Sequence, residues 1–212
     1  MSTGNVAFEI GDRISLPAPR TEGSVTLEST LATRRSRREL TFEPVDRTAV
    51  GQLLWAAQGR TDPEGKRAAP SAGATYPLIV DLVVGEGGVP DLAAGVYRYD
   101  PDDHAIEYRS VEPVQAELES ATGGQEYVSR AAIDVVMAGI EERTAREYGE
   151  RAGELYVPME AGHAGENLFL QAEALGLASV PVGGFEDAAV AAAMGYERAR
   201  PLVMYPVGGR PD

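Results

Sequence analysis

The residues best suited to chemistry lie in Thr33-Arg34-Arg35-Ser36-Arg37-Arg38, where four guanidinium groups and a serine hydroxyl fall within five residues. Arginine offers planar, paired hydrogen bonds to phosphate oxygens and keeps its charge at any ordinary pH. The chain has 33 acidic against 19 basic residues, a formal charge of -14, so an anion placed among these cations would relieve their mutual repulsion. In isolation the run reads equally well as a solvated basic patch. Two glycine-bearing segments bear on the choice. Pro70-Ser71-Ala72-Gly73-Ala74-Thr75-Tyr76-Pro77 is held by prolines at both ends and would bring bare main chain and a hydroxyl up to a flat ligand, or form a tight turn. Pro181-Val182-Gly183-Gly184-Phe185 would either end a strand or present backbone amides.

None of the three segments holds a nucleophile beside a base. With no cysteine and only His104 and His163 in the chain, thiolate metal sites, iron–sulfur clusters, disulfides and a Ser/His/Asp set are excluded or disfavoured. Any redox chemistry must come from a bound cofactor. The acidic excess argues against nucleic acid, no stretch approaches the roughly 18 apolar residues of a membrane span, and residues 1–19 lack a basic flank followed by an apolar run. A cytoplasmic protein without nucleic-acid or membrane partners is expected. His163 reads as a packed helix residue, His104 as a solvated turn residue, and Trp55 as core.

The elements that must position these segments read as one domain over residues 31–212, preceded by an N-terminal arm over 1–30 in which Pro17, Pro19 and Gly23 break any periodicity. A helix is predicted from Arg47 to Gln58, capped by Asp46, with Val50, Leu53, Leu54 and Ala57 on one face and Gly59 as a left-handed stop. Leu78 to Val84 reads as a strand buried on both faces, and residues 95–99 and 105–109 as a hairpin. Ala132 to Ala138 is a central strand. Helices follow over 141–149 and 158–175, the second bearing a stripe of small residues at Gly162 and Gly165 that suits either core packing or a subunit contact. A strand over 178–182, an alanine-rich helix over 187–194 and a strand over 202–207 complete an α+β order.

Taken in sequence, TRRSRREL, LLWAAQG, PSAGATYPL, AGVYRYDP, EAGHAGENLFLQAEALGL and VPVGGF resemble the nitroreductase family of FMN-dependent oxidoreductases, and within it the SagB-type dehydrogenase branch. The resemblance spans residues 33–211. It implies a mainly antiparallel central sheet flanked by helices in an intertwined homodimer, with FMN bound non-covalently between the subunits. Arg34, Arg35 and Ser36 would hold the phosphate and ribityl end, and Arg38 would lie by the pyrimidine edge. Pro70, Ser71, Ala72 and Gly73 would reach the flavin from the neighbouring subunit. Pro181, Val182, Gly183 and Gly184 would line its N5, the glycines with main-chain amides, and Arg210 would support the phosphate. NAD(P)H is the usual donor in the wider family, with quinones or nitroaromatics as acceptors; the SagB branch instead dehydrogenates rings in modified peptides. Branch members that do so carry a Lys-Tyr pair ahead of the long helix. Here Glu147 and Tyr148 stand at that place, which reverses one charge and leaves Tyr148 as the candidate proton donor. The sequence ends at Asp212, so Arg210 is expected to act without a longer C-terminal arm. The rival to an enzyme is a flavin-binding or flavin-free scaffold subunit.

Overall fold

The computed structural model describes residues 8–211; residues 1–7 of the N-terminal arm, and residue 212, lie outside the described residues. The strands are β1 (Arg13–Ser15), β2 (Leu78–Val84), β3 (Gly95–Asp100), β4 (Ala105–Ser110), β5 (Ile133–Gly139), β6 (Ala178–Ser179) and β7 (Arg200–Gly208). They form one sheet in the order β1-β4-β3-β2-β5-β7-β6, every neighbouring pair antiparallel. The helices are α1 (Leu27–Thr33), α2 (Arg47–Gln58), α3 (Gln115–Ala121), α4 (Glu141–Tyr148), α5 (Val157–Ala174) and α6 (Asp187–Ala193). The α+β class predicted from the sequence is the one observed.

The sheet is covered on both faces. Leu78, Val80, Leu82 and Val84 of β2 face the larger core under α2 and α5, while Val83, Val96 and Val136 face a second core under α3 and α6. Every residue of β2 and β5 is therefore buried. Helix α2 occupies the predicted span, and the Asp46 carboxylate accepts from the Ala49 N–H at 2.8 Å. Its stop differs from the prediction. Gly59 has φ −64°, an ordinary extended value, and glycine is needed there because a Cβ would strike the Trp55 ring. Trp55 itself is half-buried and folds back to donate from Nε1 to the Arg60 carbonyl at 3.2 Å.

Helix α5 continues from a π-helical turn over Ala152–Tyr156. Its buried positions, Val157, Glu160, Ala161, Ala164, Gly165, Leu168, Phe169, Ala172 and Glu173, recur at the three- and four-residue spacing of one helix face. The small stripe divides. Gly165 lies on the core face, where Tyr205 of β7 fills the place a Cβ would take, whereas Gly162 faces open space.

Both histidines depart from expectation. His163 is exposed on α5. His104 is half-buried in the β3–β4 turn at φ +46°, with Nε2 2.9 Å from the Pro17 carbonyl and Nδ1 2.9 Å from the Tyr99 hydroxyl. It ties residues 16–17 to the hairpin, and burial holds its pKa below the ordinary histidine value. Strand β1, which has no sequence periodicity, pairs with β4, and Arg13 bridges Asp100 and Asp103 at 2.7 Å each.

Candidate functional site

The basic stretch leaves the C-terminal end of α1 and runs toward β6 and the end of β7: the Arg37 N–H donates to the Ser179 carbonyl and Thr41 bridges Gly209. Its side chains separate by role. Arg37 turns inward, its Nη1 2.6 Å from Glu173 Oε2. Arg34 lies over the Phe169 ring, 4.9 Å from its centroid, with Nε 3.4 Å from Glu166 Oε1. Arg35 folds back on α1, donating to the Ala32 and Arg34 carbonyls at 3.1 and 2.7 Å. Ser36 and Arg38 are exposed.

Arg210 joins this group through the same carboxylate. Its Nη2 lies 2.8 Å from Glu173 Oε2, and its Nε donates to the Leu177 carbonyl at 3.0 Å. Burial alone would raise the Glu173 pKa, but hydrogen bonds from Thr33 and Arg37 and the charges of Arg210 and Arg37 outweigh it and hold the carboxyl below its ordinary value. Glu173 was not singled out from sequence. Its signal was available: an acid within the apolar stripe of α5 demands a cation beside it.

The glycine turn follows β6 and runs alongside the middle of β7. Val182 is buried and exchanges main-chain hydrogen bonds with Met204 at 2.8 and 2.9 Å, just beyond the β6–β7 pairing. Pro181, Gly183 and Gly184 are exposed, and no atom lies within 4 Å of the position a Cβ would take on either glycine. Their main chain is thus bare and accessible.

Loop 70–77 sits at the other end of α5. Gly73, Ala74 and Tyr76 all have positive φ, at 60°, 53° and 44°, a backbone that alanine and tyrosine adopt only under constraint. The constraint comes from α4 and from within. Ser71 Oγ accepts from the Tyr76 N–H at 2.9 Å, Thr75 and Thr144 hydroxyls meet at 2.7 Å, and Arg143 donates to the Tyr76 carbonyl at 3.1 Å. Tyr148 closes over Gly73, where a Cβ would come 3.0 Å from the phenol oxygen, and its ring stands 4.7 Å from that of Tyr156. Glu147 points to solvent, and Pro70 is exposed. Behind the loop the buried Glu160 carboxyl is held by Ser71 and by Gln58 Nε2 at 3.3 Å; burial pushes its pKa up more than those bonds pull it down.

Glu160 and Glu173 mark the two ends. At about 1.5 Å rise per residue they stand roughly 20 Å apart along one helix. The structure therefore groups Arg34–Arg38 with Arg210 at one end and loop 70–77 with Tyr148 at the other, and sets Gly183–Gly184 beside the middle of β7. The Nitroreductase family model matches residues 31–209, taking in every one of these segments except Arg210. The chain belongs to the nitroreductase family.

Membership is supported by a nitroreductase-family protein of Methanocaldococcus jannaschii, 39% identical over 199 residues that span 94% of this chain and 98% of that one. Among solved structures, a nitroreductase-family chain from Ralstonia eutropha JMP134 superposes with a TM-score of 0.82 at 30% identity, covering 94% of this chain and 90% of its own. A chain of the Escherichia coli microcin synthetase McbBCD complex with truncated pro-MccB17 bound superposes with a TM-score of 0.73 at 26% identity, covering 91% of this chain and 76% of its own. In this nitroreductase-family chain, no helix among the described residues is long and apolar enough to cross a membrane.

Proposed function

We propose that the protein is an FMN-dependent oxidoreductase acting as a homodimer, reducing a small organic acceptor such as a quinone or nitroaromatic with electrons from a donor such as NAD(P)H. The observation that carries this reading is the roughly 20 Å separation of the arginine end from loop 70–77 along α5. A ligand held at the arginine end would meet loop 70–77 of the same chain only by spanning that distance. A second copy running the opposite way would bring loop 70–77 of one against the arginines of the other.

The residues present fit FMN. Ser36 and Arg38 are exposed, Arg34 is half-buried beside them, and the main chain of Gly183–Gly184 is bare and accessible. Arg34, Arg35 and Ser36 would hold the phosphate and ribityl end, supported by Arg210, which Glu173 already holds against the same stretch. Arg38 would offer a fixed cation to the pyrimidine edge, where negative charge accumulates on reduction. Bound FMN would supply hydride transfer at N5. The chain's own part is to orient that ring, with Pro181–Gly184 along its N5 side, and to close loop 70–77 over it. Tyr148 would hold or give a proton at the acceptor.

The likeness to the microcin synthetase chain supports a second reading, dehydrogenation of a ring in a modified peptide. Glu147 in place of the branch's lysine speaks against it, because a carboxylate cannot do the work of an ammonium there.

A purified protein that is yellow, elutes as a dimer and bleaches with NAD(P)H or dithionite would support the first reading. A colourless protein that takes up no added FMN would replace it with a scaffold role. Arg34→Ala should weaken FMN retention by about 1.5–3 kcal/mol, the worth of a charged hydrogen bond. Equal retention in the variant would return the basic stretch to the surface-patch reading.

A further inference from the structure

Beside loop 70–77, between α4 and the β3–β4 hairpin, lies a cleft of about 230 Å³ that the flavin reading leaves unused. Three arginines from separate parts of the chain line it: Arg67, Arg98 and Arg143. Arg98 is fully committed on one edge, its Nε and Nη2 each 2.8 Å from the buried Asp81 carboxylate. Arg67 and Arg143 are held by neutral groups. Arg67 lies 4.3 Å over the Tyr76 ring and donates from Nη1 to Gln58 Oε1 at 3.2 Å, and Arg143 donates to the Tyr76 carbonyl. Neither has a carboxylate within 4.0 Å among the described residues.

This is an unusual place for unpaired cations in a chain of charge -14. The two acids that line the cleft are engaged by other arginines. Asp100 pairs with Arg13 and Glu107 pairs with Arg109, at 2.7 Å in each case. Partial burial, and then the like charges of Arg67 and Arg98, push the Arg143 guanidinium below its ordinary value, the mark of cations close enough to repel. Such a cluster is relieved by an anion with several oxygen acceptors. At about 230 Å³ the cleft is smaller than the roughly 300 Å³ at which sites for drug-sized ligands begin, so it suits one charged group of a larger molecule.

We propose that Arg67, Arg98 and Arg143 form an anion subsite that receives the carboxylate or phosphate of a substrate whose reducible part extends along loop 70–77. The subsite rests on geometry alone; its role in substrate choice rests on the flavin reading above. It makes the acceptor an acidic one, recognised from the α4 side through Tyr76, whose ring carries Arg67 and whose carbonyl accepts from Arg143.

The test has two arms. In the first, the full chain is titrated calorimetrically at low ionic strength with inorganic phosphate and, separately, with benzoate. One or both should bind saturably at one site. Arg143→Gln should weaken that binding about tenfold or more, as loss of a charged hydrogen bond requires, with Arg143→Lys recovering part of it. The signal should persist in Arg34→Ala, which marks it as distinct from the basic stretch. Saturation by phosphate assigns the subsite to phosphate esters, and saturation by benzoate assigns it to carboxylates. Absence of saturable binding, wild-type binding in Arg143→Gln, or loss of binding in Arg34→Ala would overturn the proposal. In the second arm, the ratio of kcat/KM for 4-nitrobenzoate over nitrobenzene should fall about tenfold in Arg143→Gln. An unchanged ratio removes the substrate role. A colourless protein that still binds the anion would leave the subsite standing while the flavin reading fails.

Discussion

Asp134 gives the sharpest test of the physical reasoning. It lies on β5, fully buried, facing the core under α3, with Oδ2 accepting from Gln115 Nε2 at 2.8 Å and Oδ1 without a partner among the described residues. Burial raises its pKa from 3.8 to about 8, against a smaller lowering by the Gln115 bond. The neighbouring Asp81 is equally buried but paired with Arg98 and the Tyr196 hydroxyl, so two acids on the same sheet face differ in whether a cation meets them. The native state keeps the Asp134 proton up to pH about 8, whereas the unfolded chain loses it near 3.8. Between those values the unfolded state binds fewer protons, so stability falls as pH rises. At about 1.36 kcal/mol per unit, the loss from pH 5 to pH 8 is about 4 kcal/mol. Asparagine has the same shape, can accept from Gln115, and does not titrate. Asp134→Asn should therefore gain about 4 kcal/mol relative to the wild type between those pH values, read as the difference in urea unfolding free energy at each pH. A difference that stays within about 1 kcal/mol across the range would refute a buried neutral carboxyl here.

Glu173→Gln should cost about 3 kcal/mol at neutral pH by leaving Arg37 and Arg210 without their shared charge. Because the folded pKa is depressed, that difference should shrink as pH falls through the carboxylate range; a pH series of unfolding curves checks it. Gly165→Ala should lower stability by about 1–3 kcal/mol, since its methyl would meet Tyr205 between α5 and β7, and thermal melts would show it. Tyr148→Phe should slow acceptor reduction by about a hundredfold or more at saturating donor and remove one limb of the pH–rate profile if the phenol moves a proton; an unaltered profile would leave Tyr148 as a cover for Gly73.

How far the fold was legible depends on where each residue finds its partner. Strand β2 could be read directly because Leu78–Val84 meets apolar atoms on both faces, and α2 because its cap and its buried face lie within one short segment. Strand β1 could not, since its three residues are a strand only because β4 is beside them and Asp100 and Asp103 receive Arg13. Helix α1 was hidden likewise. It is short, its Leu27 and Leu31 are exposed, and only the Thr26 side chain accepting from the Ser29 N–H marks its start. His104 looked like a solvated turn residue because nothing nearby in sequence announces the Pro17 carbonyl as its partner.

The candidate site shows the same limit more sharply. Loop 70–77 could be picked out by its glycine and flanking prolines, yet its strain at Ala74 and Tyr76 is imposed not only by its own Ser71 but by Thr144 and Arg143 of α4, which no local rule connects to it. The two acids in the apolar stripe of α5 carry the organising information. Glu160 stands behind that loop, and Glu173 gathers Arg37 from the basic stretch and Arg210 from the end of the chain. A helix that fixes one half of a site at each end acts as a ruler, and a ruler of about 20 Å cannot be shortened by side-chain motion. Either the two halves serve separate ligands, or the missing half comes from another copy. Dilution separates these alternatives: cofactor retention that falls together with the dimer population requires the shared site, while retention indifferent to dilution assigns each half its own ligand.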